Sequence, residues 1–483
     1  MTLGLGELAW LLGAPLVLGL FSLRAIGIRP SDDRIACLGW SWMLGCLALG
    51  LLLFAWLHLG VPAWLWWTAI PFGAIGTGLL AAQPRLRAPR AATAHRPFDP
   101  WFCGFVALGV AWCVLQVGAG ASWPCIEGDE GNIWSLKAKS LLFDPLANGF
   151  DAAQRHNLHP DYPMLNPLLQ AWVNAGRTEI LHFENRLLVQ CCGIAMFLAL
   201  AGALRARLPG WLAGAVSLVV LLEPEFTDQC RLAYADGMVA LGILVAWDAW
   251  LRGREQGRLA WRWLAAAGLA FALWSKNEAM MYAAASFGGL VLGALVHPPA
   301  SWRPHLRGIA CLSLPALVVG LQAWFNHEHG LQNDLLGANP TGQTLTQLVV
   351  AQFDERAPTV AMRAASEVFS FHAAHGVLAL VLLAPLLLPL RAFSRELTGL
   401  TAMLLASFVG IHLVYVGSFL DLQFHLGTSH ARVLFQLVPL AMLWFACIAR
   451  SLLGGEAPGS ETGAPSTPDA APPPNHDAQP AAS

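Results

Sequence analysis

Long apolar stretches alternate with short polar connections along most of the chain. Runs long enough to cross roughly 30 Å of hydrocarbon fall near residues 3–21, 35–57, 61–82, 101–120, 187–204, 209–222, 237–251, 259–274, 279–296, 308–325, 371–390, 397–416 and 433–450. The pattern predicts an all-α integral membrane protein with about 13 transmembrane helices. Several runs are short, and those after Pro209 and Leu259 also suit tilted or re-entrant segments. The first run has neither a basic leader nor a small-residue cleavage site, so it reads as a retained helix.

Against this background residues 123–172 form a polar island within a long connection, 121–186, whose length marks a functional loop. Asp129 is placed to cap a helix that starts at Glu130 and presents Trp134, Lys137, Ala138 and Leu141 on one face. Such a helix would lie at the membrane interface, with Lys137 and Lys139 reaching lipid phosphates. Pro160 and Pro163 bracket Asp161 and Tyr162, so His159 to Pro163 reads as a rigid turn, and residues 165–173 as a short amphipathic helix. Further polar connections on the same side are Arg231 to Gly237, Ser275-Lys276-Asn277-Glu278, the loop 326–366, and Asp421 to Arg432. The loop 326–366 carries Asn326, His327, Glu328, His329, Asp334, Asp354, Glu355 and Arg356.

Charge placement gives the chain a direction. Arg24, Arg29, Arg34, Arg85, Arg87, Arg90, Arg96, Arg205, Arg207, Arg252, Arg254, Arg258, Arg262, Arg303, Arg307, Arg391, Arg395 and Arg450 all fall in the opposite set of connections, 18 of 28 basic residues. Cationic loops stay cytoplasmic, so the long loop faces outward and the C-terminus inward. In a bacterial inner membrane the outer side is the periplasm. The organisation read from this is N-terminal helices over 1–100, a membrane-embedded functional region over 101–452, and a proline-rich, disordered cytoplasmic tail over 453–483. Composition agrees: 56% of residues are hydrophobic and 12% charged, with mean hydropathy +0.54. A net charge of −2 without a cationic cluster argues against a nucleic-acid partner. The 10 cysteines follow no metal-binding spacing; Cys125 and Cys230 alone fall in loops, where a disulfide between them is an open alternative.

The succession Gly-Asp129-Glu130-Gly, Trp-Ser-Leu-Lys137-Ala-Lys139, His159-Pro-Asp161-Tyr162-Pro, Tyr234-Ala-Asp236, Lys276-Asn-Glu278 and His-Leu-Gly-Thr-Ser-His430-Ala-Arg432 resembles the GT-C superfamily of polytopic glycosyltransferases. Within it the chain looks most like bacterial members similar to protein O-mannosyltransferases and the lipid A aminoarabinose transferase, over about residues 100–450. The resemblance implies inverting transfer of a sugar from a polyprenyl-phosphate donor to a hydroxyl of a lipid, glycan or protein acceptor, outside the cytoplasm and in contact with membrane lipids. It implies Asp129 as general base, with Glu130 orienting the acceptor or raising the basicity of Asp129 through like charge. Lys276 and Arg432, then Lys137, Lys139 and His430, are implied to meet the phosphate. His159, Asp161, Tyr162, Tyr234, Asp236 and Glu278 are implied to contact substrate, Asp236 alternatively holding a cation in place. An Asp-Glu pair stands where metal-dependent members carry Asp-x-Asp, which implies that no cofactor is required, while Asp129, His159 and Asp161 offer an alternative divalent-cation site.

Each group also has a structural reading. Asp129 suits a helix cap, Lys276 and Glu278 an interface ion pair, His159 to Pro163 an architectural turn, and Asp421 and Arg432 a mutual ion pair. The competing functions are a transporter or flippase of a lipid-linked glycan and a non-catalytic membrane scaffold. Transport calls for ionisable residues in mid-membrane, and among the spans Asp248 is the mild exception to their absence.

Overall fold

A computed structural model describes residues 3–82, 99–125, 128–143, 159–299, 308, 310–333, 342–369 and 375–453. The tail from Gly454, the arginines at 85, 87, 90, 96, 303 and 307, and Asp334 lie outside the described residues. Among the described residues the fold is all-α. The N-terminal group comprises α1 (Leu5–Ile26), α2 (Arg34–His58), a tight turn (Ala63–Thr68) continuing into α3 (Ala69–Ala82), and α4 (Pro100–Gly120). A π-helical turn (Glu130–Ser135) then runs into α5 (Leu136–Phe143), followed by α6 (Leu165–Val173). The central helices are α7 (Leu187–Arg205), α8 (Gly210–Val219), α9 (Pro224–Arg231), α10 (Asp236–Gln256), α11 (Leu259–Leu273) and α12 (Ala279–Val296). The last group is α13 (Ser313–Glu328), α14 (Leu345–Phe369), α15 (Gly376–Leu387), α16 (Pro389–Ala392), α17 (Thr398–Val416), α18 (Leu422–Phe435) and α19 (Val438–Leu452).

Helix ends follow local chemistry. The carboxylates of Asp33, Asp99 and Asp421 accept the backbone N–H groups of Ala36, Phe102 and Phe424, and Pro100 occupies the first turn of α4. Asp421 is thus a cap and not the partner of Arg432. Eight helical segments among the described residues are long and apolar enough to cross a membrane, the last being Leu422–Leu452. Several of the other expected spans take different forms. The run after Pro209 breaks by 79° before α9, α11 and α15 are short apolar helices, and α13 has 16 residues. Helix α10 carries Asp236, Asp248 and Arg252 along its length. Peripheral helices expose large apolar side chains such as Phe72, Leu79, Trp101, Phe287 and Leu295, a surface that suits lipid contact, whereas α2 and α7 are mostly enclosed.

Two expected loops are helices instead. Most of 326–366 is covered by the end of α13 and by α14, whose buried Val360, Ala364 and Val368 recur every four residues on one face. Residues 422–432, expected as a loop, form most of α18. Residues 165–173 are the expected short helix, and all nine are buried, so α6 is an interior strut.

Small residues set the helix crossings. A Cβ on Gly242 would stand 2.6 Å from the carbonyl oxygen of Gly268, and one on Gly268 2.7 Å from that of Gly242, so α10 and α11 touch backbone to backbone. Gly289 on α12 meets Gly399 on α17 in the same way, its hypothetical Cβ lying 2.3 Å from a carbonyl oxygen, while neighbouring Gly288 faces open space. At the end of α10 remote from Asp236, Asp248 binds Arg207 at 2.7 Å and Arg252 at 2.9 Å, Arg252 reaches Asp33 at 2.9 Å, Arg258 reaches Asp32 at 3.1 Å, and Arg450 reaches Glu255 at 3.1 Å. These connections, predicted to share one side from charge alone, do meet at one end of the bundle. Gly289→Ala is expected to cost about 1–3 kcal/mol of stability and Gly288→Ala almost nothing, read as thermal unfolding of the detergent-solubilised pair.

Candidate functional site

At the other end of α10 the polar segments converge. Gly128 adopts the left-handed conformation at φ +55°, which a side chain would strain, and turns the chain into the π-helical segment. Asp129 stands at the head of that segment without capping it. Its carboxylate accepts a hydrogen bond from Arg432 Nη2 at 2.7 Å, and 39% of the side chain is exposed. The guanidinium of Arg432 lies over the Tyr234 ring, 4.5 Å from its centroid, and points Nη1 toward Asp236 at 3.8 Å.

Asp236 is buried at the first turn of α10 and is neutralised by neighbours. Lys276 Nζ donates to Oδ1 at 2.9 Å and Gln436 Nε2 to the same oxygen at 2.5 Å. Burial disfavours the Asp236 carboxylate, yet Lys276 and Arg432 outweigh it and hold its pKa below the usual value. Lys276 donates as well to Glu278 at 2.8 Å; burial works against its charge, but Asp236 and Glu278 raise its pKa above the lysine norm. Both groups are therefore charged at neutral pH. An alternating chain results, Asp129, Arg432, Asp236, Lys276 and Glu278, contributed by four separate segments. Asp129 is its most accessible carboxylate, with Glu278 at 23% and Asp236 at 1% exposure.

Other predicted residues serve the framework. Glu130 is buried, 3.0 Å from Arg186 Nε, and accepts the Ala233 N–H at 3.0 Å. Arg186 continues to the carbonyls of Arg231 and Trp123, so Glu130 staples the π turn to the 231–237 segment and is not positioned to orient an acceptor. Burial raises the Glu130 pKa against the opposing pull of Arg186. Lys137 does not reach lipid: it is fully buried and donates to the carbonyls of Pro160 at 2.7 Å and Tyr162 at 2.8 Å. Lys139, 200° further round α5, is exposed. His159 stacks on Tyr162 and Tyr162 on Trp134. The Asp161 carboxylate accepts from Asn277 at 2.5 Å and Asn333 at 2.6 Å, and Tyr162 Oη lies 3.5 Å from Glu278. The turn 159–163 is thus an anchored piece of architecture beside the charge chain. His430 is buried with Nε2 3.2 Å from His412 Nε2, on a different face of α18 from Arg432.

Among the described residues, Asp129, His159 and Asp161 do not bring their ligand atoms within 4.8 Å of one another. Cys125 and Cys230 are free thiols, Cys125 Sγ lying 2.9 Å from Ser135 Oγ and Cys230 sitting within α9. Two contributors escaped the sequence reading. Gln436 stands four residues beyond Arg432, so helical spacing puts both on one face. Arg186 carries no local signal, because its partner Glu130 is 56 positions away. No family model, curated protein or solved structure matches the chain.

Burial without a carboxylate in hydrogen-bond contact lowers the Lys137 pKa from 10.5 to about 7, Asp161 pulling weakly the other way. Above that pH a neutral amine still supplies two N–H donors for its two carbonyls. Between about pH 7 and 10.5 the folded protein binds fewer protons here than the unfolded chain, so this group's contribution to stability grows as pH rises through that window. Melting temperatures of wild type and Lys137→Met compared across it should differ in slope, the wild type gaining relative to the variant.

Proposed function

We propose that this protein is an inverting glycosyltransferase that moves a sugar from a polyprenyl-phosphate donor to an acceptor hydroxyl on the extracytoplasmic face of a bacterial inner membrane. The observation that carries the reading is the 2.7 Å contact between the half-exposed carboxylate of Asp129 and the guanidinium of Arg432. Glycosyl transfer from a lipid phosphate needs a base for the acceptor proton and a fixed cation for the departing phosphate, close together. In the proposed step the acceptor oxygen bonds to the anomeric carbon while the bond from that carbon to the phosphate oxygen breaks. The acceptor proton passes to Asp129, and the electron pair leaves on the polyprenyl phosphate, whose charge Arg432 meets. Lys276, engaged by Asp236 and Glu278 and nearly enclosed, acts as a strut that positions the chain and not as the phosphate ligand.

Support for a lipid-linked donor comes from an apolar groove of about 360 Å³ between α14, α15 and α17, lined by Phe353, Val360, Val368, Leu382, His412 and Val416. His412 touches His430, two residues before Arg432 on α18. A hydrocarbon chain in this groove would place its head group toward the charged end. The outward orientation rests on the arginine bias of the connections read from the sequence, of which Arg207, Arg252, Arg258 and Arg450 meet at the opposite end of the bundle. Against transport, the acid in the middle of α10, Asp248, is held between Arg207 and Arg252.

The test is release of polyprenyl phosphate by protein in lipid nanodiscs, offered a panel of labelled polyprenyl-phosphate sugars and cell-envelope acceptors. Wild type should release it, and Asp129→Asn should be slower by about 10²- to 10⁴-fold at unchanged protein abundance. Arg432→Lys keeps the charge but loses the forked geometry, and should lower the rate while leaving the fold intact. Equal release by wild type and Asp129→Asn would remove Asp129 as the base. No release from any donor by folded protein would favour the transporter or scaffold.

A further inference from the structure

A second cluster of chemistry-bearing side chains lies where α8 and its terminal turn, ending at Leu222, break by 79° into α9. Glu223 sits at the break, extended at φ −82° and ψ 121°, and its side chain does not cap α9. Pro224 fixes the first turn of α9 and Glu225 follows on it. His375, at the start of α15, arrives from 150 positions along the chain. Its Nδ1 lies 3.3 Å from Glu223 Oε1, and one donor atom from each of Glu223, Glu225 and His375 falls within 4.8 Å of the others. Glu223 and His375 are buried and Glu225 is half-buried.

We propose that Glu223, Glu225 and His375 bind one divalent first-row transition cation of the zinc or manganese type. Two donors each about 2.0–2.1 Å from a tetrahedral zinc stand about 3.3–3.4 Å apart, which the His375 to Glu223 spacing already satisfies. One imidazole with two carboxylates is a donor set for zinc or manganese, whereas calcium takes six to eight oxygens. Three protein ligands leave a fourth position for water. The cation cross-links the helix break to the start of α15 and so fixes the direction of α9. That helix leads straight into the 231–237 segment, whose Arg231 carbonyl and Ala233 N–H engage Arg186 and Glu130. The site shares no residue with the chain of charges that ends in Asp129, and it does not depend on the transferase reading.

The experiment uses the full chain in nanodiscs, stripped with chelator, desalted and titrated with Zn²⁺, Mn²⁺ or Mg²⁺, reading metal per chain by mass spectrometry and the melting temperature. Wild type is expected to retain about one Zn²⁺ or Mn²⁺ per chain, to melt higher when loaded, and to show no comparable response to Mg²⁺. Glu225→Gln, at a half-buried position that tolerates a neutral isostere, and His375→Gln should each weaken retention by about 100-fold or more, whereas Asp129→Asn should bind as wild type does. Folded wild type that retains no metal, or the same retention in Glu225→Gln and His375→Gln as in wild type, overturns the proposal. Metal retained by a protein inactive toward every sugar donor would sustain this site and reject the transferase reading alone.

Discussion

A carboxylate buried at the start of a helix must be neutralised, and at Asp236 that requirement organises the whole charged end of the bundle. An unpaired ion in such surroundings costs several kcal/mol, so the tight turn between α11 and α12 delivers Lys276, and α18 delivers Gln436 and Arg432. The two charged partners each carry a second obligation. Lys276 reaches Glu278, which stands near Tyr162; its neighbour Asn277 binds Asp161; Arg432 reaches Asp129. One buried charge thereby ties the first long loop, the 275–278 turn and α18 into a common geometry. Removing a single partner would release several contacts together.

The same helix carries a second buried acid, Asp248, with a different outcome. Twelve residues separate it from Asp236, about 18 Å along the axis at 1.5 Å per residue. Asp248 is closed on both sides by Arg207 and Arg252 and has no accessible end. Its network locks α10 to the adjoining connections and leaves nothing to react. The Asp236 network instead terminates in a half-exposed carboxylate. This difference in termination, more than the number of charges, separates a packing device from a site that a ligand can enter.

Much of this was legible in the sequence, and the losses have definite causes. Apolar runs located most helices, because hydrocarbon-compatible segments need length and little charge. The 326–366 segment misled because α14 is too polar to read as a span, although its apolar positions at 360, 364 and 368 keep helical spacing. Asp129, Asp236, Lys276, Glu278 and Arg432 stood out as ionisable groups between apolar runs, and they do meet. Glu130 and Lys137 stood out equally, yet they are buried fasteners. A residue's distance from its partner along the chain is what composition cannot reveal: Glu130 needs Arg186, and Lys137 needs the turn at 160–162. Nor did spacing disclose that α6 would be enclosed on every side, since a nine-residue helix looks alike whether one face or all of it is covered.

Charge balance also constrains how an anionic ligand could be received. The chain of Asp129, Arg432, Asp236, Lys276 and Glu278 holds three carboxylates and two cations, so it has no surplus positive charge to offer. Lys276 is committed on both sides and nearly inaccessible, which leaves Arg432 as the cation able to change partners within this chain. Its planar fork binds carboxylate and phosphate alike. On the proposed reading, a lipid phosphate that engages Arg432 must share it with Asp129 or displace that contact. Displacement frees the Asp129 carboxylate to accept a proton at the moment the donor is in place, and without donor the base stays occupied by the guanidinium. Where the contact is displaced rather than shared, ordered binding, donor before acceptor, follows from one arginine without any larger movement of the helices.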